Sequence, residues 1–175
     1  MNTSKNPASE ELVAIVDEEN RVVGCASRGV MRRYHLIHRA TYILLFNSQG
    51  ELFVHQRTES KDVYPGYYDI AAGGVVKAWE DYDLSARREL AEEVGISGVP
   101  LTPLFDFYLQ DENNKVWGRA YSCVADGSIT LQEEEVQWGR FMNMRDLQQL
   151  RAEKFFTPDG LYLLDRYLAE QAKSI

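Results

Sequence analysis

Apolar residues occur mostly in short alternating blocks, and a long helical period is confined to two stretches. Leu12–Val16 and Val22–Cys25 flank the polar stretch Asp17–Asn20, a pattern that predicts a β-hairpin. "GVMRRYHL" has room for one or two helical turns. "ATYILLF" and "ELFVHQR" lie on either side of Asn47, Ser48 and Gly50, which predicts a second hairpin. "LFDFYLQD", "VWGRAYSCVAD" and "QWGRFMNM" read as three further strands. A helix is predicted from Tyr82 to Val94, with Gly95 in the C-cap position. "RDLQQL" starts a short helix. Leu161, Leu163, Leu164, Tyr167 and Leu168 recur at helical spacing behind Thr157 and Pro158, so the last segment is helical too. Residues 1–9 read as a flexible tail. Many strands and few helices predict an α+β fold with helices on a mixed sheet, and no linker divides it.

Bulk properties narrow the class. A chain of 175 residues, 45% hydrophobic and 26% charged, suits one folded domain rather than a disordered segment. No run of about 18 apolar residues marks a membrane span, and the polar start "MNTSKNPASEE" lacks a secretory apolar core. Cys25 and Cys123 are too few for a disulfide framework or a closed zinc site, so reduced thiols in a cytoplasmic protein are expected. A net charge of −8 argues against a nucleic-acid polymer as partner. A small polyanion remains compatible where a metal ion bridges it to acidic groups.

The helix over 82–94 carries the candidate chemistry. Ala86, Leu90 and Val94 make an apolar stripe, with Ala91 widening it, while Glu89, Glu92 and Glu93 crowd the adjoining face within about one turn. Like charges at these spacings destabilise an isolated helix by about 0.2–0.5 kcal/mol per pair. A hard divalent cation reverses the sign of that interaction, and Mg2+ suits a few carboxylates plus substrate phosphates. Taken alone, the cluster is better explained as a solvated acidic face, the commoner use of such glutamates.

The surrounding positions decide between these. Gly74 is followed after five residues by Glu80, and Glu80 after seven by Arg88-Glu89-Leu90-Ala91-Glu92-Glu93-Val94-Gly95-Ile96. This resembles the Nudix box of the Nudix hydrolases, here residues 74–96, with every specified position filled. With each residue type at about one in fifteen, a chance match is on the order of one in a million. The resemblance implies an α/β/α sandwich with a mixed, curved sheet over residues 36–175, to which residues 10–35 add an N-terminal hairpin and short helix. It implies hydrolysis of a nucleoside diphosphate linked to a second group, or of a related diphosphate, with Mg2+ or Mn2+ as cofactor. It also implies roles. Glu89, Glu92 and Glu93 become metal ligands, with Glu92 and Glu93 also candidates for the chemistry. Arg88 orients a box glutamate, Glu80 is structural, and Gly74 admits a close backbone approach. A homodimer is compatible with the family.

Outside the box, Glu135 is the candidate catalytic carboxylate, with Glu133 next, and Arg57 and Lys61 are candidate phosphate contacts. The large area of Trp79 favours packing over the loop, with stacking on substrate as the alternative. Tyr64, Tyr67, Tyr68 and Trp117 either stack on a base or fill the core. "HRATYILLFNSQGELFVHQR" with "YPGYYDIAAGG" also resembles isopentenyl-diphosphate isomerase, a Nudix-fold enzyme. The position of that enzyme's essential cysteine is Gly73 here, and only His38 matches one of its three metal histidines; Met31 and Val75 stand at the others. A non-catalytic nucleotide-binding Nudix domain is the remaining alternative, and such domains usually lose box glutamates that this chain keeps.

Overall fold

The structure, a computed structural model, describes residues 7–173. In chain order its strands are β1 (Leu12–Val16), β2 (Val22–Ser27), β3 (His38–Phe46), β4 (Leu52–Arg57), β5 (Tyr68–Asp69), β6 (Thr102–Gln110), β7 (Lys115–Val124) and β8 (Val136–Met142). Its helices are α1 (Pro7–Glu10), α2 (Arg28–Arg33), α3 (Tyr82–Val94), α4 (Met144–Glu153) and α5 (Pro158–Lys173). The tail expected over residues 1–9 is helical from residue 7, and the rest of it lies outside the described residues.

β1 and β2 form the expected antiparallel hairpin. Asp17 closes its turn, accepting from the Glu19 and Arg21 amides at 3.0 and 2.9 Å. The second hairpin differs from its prediction. β3 and β4 share the expected turn but pair only at Phe46 and Leu52. Both edges of β3 are taken by other partners. β7 runs parallel to it from His38↔Val116 to Phe46↔Val124. On the other side the 72–76 segment binds it, with Thr41 N–H donating to Gly74 O at 2.9 Å and Ile43 N–H to Ala72 O at 2.7 Å. β4 therefore turns away and pairs with β5 and β8.

Alternation on β3 feeds two cores. Ala40, Tyr42 and Leu44 face one, with Leu147 of α4 and Leu163 and Leu164 of α5. Ile43 and Leu45 face the other, with Ala86, Leu90 and Val94 of α3. The result is a mixed sheet between α3 on one face and α4 and α5 on the other, an α/β/α sandwich of the α+β class. Burying each of these leucines contributes about 1.5–3 kcal/mol, which fixes the rotation of α3 and hence where its glutamates point. Ala91 is exposed and does not widen the stripe; the buried side extends instead toward Glu93, three positions after Leu90.

Candidate active site

α3 has both ends fixed. The Asp81 side chain accepts from the Leu84 amide at 2.8 Å. Gly95 adopts φ 72°, a left-handed conformation that glycine takes without strain, and its N–H reaches Ala91 O at 3.1 Å. Held this way, Glu93 points inward and is only 3% exposed. Its carboxylate accepts from the Gly73 amide at 2.8 Å. Gly73 has φ 145°, and a Cβ there would stand 2.0 Å from the Thr41 carbonyl oxygen. Gly74 lies against Glu89: a Cβ on it would be 2.7–2.8 Å from that carboxylate. The two glycines thus let the loop pass between β3 and the acidic helix.

Arg88 organises the rest of the box. It forms a fork with Glu80 at 2.8 and 2.9 Å and also meets Glu89 at 2.7 Å and Glu92 at 3.1 Å. Glu80 further accepts from the Lys77 amide at 3.2 Å, tying the loop to the helix. The hydrogen bonds from Arg88 hold the Glu80 carboxyl below its ordinary range. Glu92 is the most exposed of the three helix glutamates, its side chain 47% accessible.

Lys61 and Glu135 form an ion pair whose two charges are felt at Glu93. Burial pushes Glu93 up to about 8; the Lys61 charge opposes this, while Glu89 and Glu135 add to it. Burial likewise raises Glu89, with Arg88 opposing and Glu92 and Glu135 adding. Burial acts most strongly to raise Glu135, but Lys61, Arg28 and Arg57 together outweigh it and the net shift is downward. Glu89, Glu93 and Glu135 therefore feel one another's charge. Glu133 is exposed and stands apart.

This donor set matches hard-cation chemistry: buried carboxylate oxygens held against their own repulsion fit Mg2+ or Mn2+. Among the described residues no three such groups converge closely enough to hold an ion as they stand. Arg88 and Lys61 engage the carboxylates instead, so convergence on a cation requires these contacts to loosen.

A cleft opens beside the loop, lined by Gly73, Gly74 and Lys61. Arg57 lines it as well, anchored by its hydrogen bonds to Val63 O at 3.3 and 2.9 Å. Two more cations come from α2, which the sequence did not flag. Arg28 and Arg32 both reach Asp62, at 3.1 and 3.2 Å, and both line the cleft. Burial favours the neutral form of Asp62, but the two guanidiniums outweigh it and hold the carboxyl well below the usual range. Their i, i+4 spacing was the one available signal that they share a face.

One expectation is corrected, and the open alternatives for the other aromatics divide. Trp79 does not pack: it is 85% exposed, with φ 67°. Its backbone sits at a left-handed turn ahead of Glu80, and the loop is held by hydrogen bonds rather than by an indole. Tyr68 packs against Trp138 and Phe156, and Trp117 against Tyr108, while Tyr64 lines the cleft. Met31 and Val75 sit together with Val13 in a small apolar cluster.

Residues 36–163 match the NUDIX domain. The chain belongs to the Nudix hydrolase family. It is 46% identical over 167 residues to the Nudix hydrolase YfcD of Escherichia coli (strain K12), covering 95% of this chain and 92% of that one. It is 44% identical over 158 residues to the Nudix hydrolase PA4841 of Pseudomonas aeruginosa, covering 90% and 94%. The crystal structure of DR0079 from Deinococcus radiodurans superposes with a TM-score of 0.77 at 25% identity, over 89% of this chain and 98% of that one. This is therefore a Nudix-type hydrolase, and the matched span contains Gly74–Ile96.

Proposed function

We propose that this hydrolase cleaves the diphosphate linkage of a nucleoside diphosphate joined to a second group, or of a related small diphosphate. Glu89 and Glu93 would hold Mg2+ or Mn2+, with Glu92 as a further ligand. The bound cation supplies neutralisation of the diphosphate charge and acidifies water. The residues of this chain do the rest. Arg57 and Lys61, with Arg28 and Arg32 beside them, hold phosphate oxygens in the cleft. Arg88 orients Glu89 from its anchor on Glu80. Glu135 takes the proton of the attacking water; it lies outside the helix and is kept ionised by Lys61.

The observation that carries this reading is the buried Glu93 carboxylate, bonded to the Gly73 amide beside Glu89, at the edge of a cation-lined cleft. The isomerase reading loses ground on the same evidence. Gly73 replaces the cysteine, and Met31 and Val75, at two of the histidine positions, are packed in apolar surroundings. Among the described residues no helix is long and apolar enough to cross a membrane, and Cys25 and Cys123 are free, which supports a cytoplasmic setting.

The test is product analysis with Mg2+ or Mn2+ on nucleoside triphosphates, nucleotide sugars, ADP-ribose, dinucleotides, coenzyme A and isopentenyl diphosphate. Metal-dependent phosphate products from at least one are expected; no turnover across the panel, or isomerised isopentenyl diphosphate, sinks the proposal.

A further inference from the structure

The far wall of the cleft is acidic. Asp69, at the end of β5, and Asp159, in the first turn of α5, both line it. The Asp69 carboxylate accepts from the Ile70 and Ala71 amides at 2.8 and 3.3 Å and stands 3.7 Å from Arg57. Asp159 accepts from the Tyr42 hydroxyl at 2.8 Å. Thr157 lines the same wall and is only 1% exposed. Its hydroxyl lies beside Asp69 and lowers that carboxyl as a hydrogen-bonding neighbour, but among the described residues it reaches no partner at full hydrogen-bonding geometry. Gly160 makes room for this arrangement, since a Cβ there would stand 2.6 Å from both the Asp69 oxygen and the Thr157 hydroxyl. Hydrolysis as proposed above uses none of Asp69, Asp159, Tyr42 or Thr157.

A carboxylate accepts more hydrogen bonds than Asp69 and Asp159 receive here, so both keep capacity for a ligand's donors, and the poorly placed Thr157 hydroxyl gains from a ligand partner. An extra cation is the poorer match, because Arg57 already supplies positive charge at Asp69. Burial raises both carboxyls, and the charge of Asp69 raises Asp159 further, so the wall favours partial neutralisation and neutral donors. We propose that Asp69, Asp159 and Thr157 form a subsite for vicinal hydroxyl groups on the substrate, with the diphosphate held at the Arg28, Arg32 and Lys61 end. The hydroxyls belong either to the nucleoside ribose or to a sugar attached beyond the diphosphate. This subsite rests on the diphosphate reading.

The test is calorimetric titration of the wild-type protein in EDTA with two ligand pairs: ADP against 2′,3′-dideoxy-ADP, and ADP-ribose against the methyl ester of ADP. The hydroxylated member of at least one pair should bind about tenfold more tightly. A preference in the first pair assigns the ribose, and one in the second pair alone assigns the outer sugar. Thr157→Val and Asp159→Asn should each bring the ratio toward one without weakening the ligand that lacks the hydroxyls. Should Asp159→Asn fail to fold, Thr157→Val, which keeps the shape and removes the hydroxyl, decides. A ratio of one in both pairs, or a ratio that survives the substitutions, overturns the subsite and leaves the diphosphate reading standing. Binding of none of the four ligands, either in EDTA or with Ca2+ in its place, overturns both.

Discussion

Gly73 donates its amide hydrogen to the carboxylate of Glu93 at 2.8 Å. This bond joins the first residues of the glycine loop to the last turn of the acidic helix, twenty positions later. It depends on backbone that only glycine tolerates: φ is 145°, and a Cβ would meet the Thr41 carbonyl oxygen at 2.0 Å. Gly73→Ala should therefore displace the loop from β3 and cost about 2–4 kcal/mol. Urea unfolding checks this; a midpoint equal to wild type would show that the loop moves aside freely.

Arg88 touches Glu80, Glu89 and Glu92 at once. Arg88→Lys keeps the charge but cannot reproduce the fork. It should lower kcat by at least about tenfold, with a stability loss of about 1–2 kcal/mol, since its partners are half-buried. Equal kcat in the two proteins would reduce Arg88 to a surface charge.

Glu135→Gln removes the carboxylate opposite Lys61 while preserving its size. As the proposed acceptor of the water proton, it should account for about 10²–10⁴ in kcat with little change in KM. A raised KM with unchanged kcat would move Glu135 to substrate binding.

His38 and His55 are both held neutral. Burial lowers each to about 3, helped by Arg32 at His38 and by Arg57 and Lys61 at His55. A base whose folded pKa is depressed contributes stability above the unfolded value, and that contribution is lost as pH falls from about 6.5 toward 3. Each imidazole should cost about 1.4 kcal/mol per pH unit within that window. His55→Gln isolates one of them: the stability advantage of wild type at pH 7 should shrink at pH 5. A constant gap across that range would mean that His55 does not titrate on unfolding.

The helix bearing the box was legible except for its N-cap and the outward face of Ala91, because its C-cap glycine, the Ala86–Leu90–Val94 stripe and the acidic spacing are all local. Gly95 and Leu90 sit where the pattern placed them, whereas the Asp81 N-cap is a finding of the structure. Partner choice was not legible. Nothing within β3 or β4 states that β7 and the 72–76 segment will occupy both edges of β3. The cleft shows the same limit. Lys61 and Glu135 were each readable as candidates, but their pairing across 74 positions was not. Asp69 and Asp159 stand 90 residues apart and meet only because α5 packs beneath β5 near Gly160. Trp79 misled because side-chain area predicts burial only where the backbone turns inward.

The central claim is that Glu93 belongs to the hydrolytic site and is not merely a buried helix residue. The most direct measurement is the rate of metal-dependent phosphate release from the best substrate of the diphosphate panel, wild type against Glu93→Gln. The substitution keeps the side-chain shape and an oxygen for the Gly73 amide. The expected result is a folded protein with kcat reduced by at least about a hundredfold. A Glu93→Gln protein that retains wild-type turnover at the same Mg2+ concentration would contradict the account.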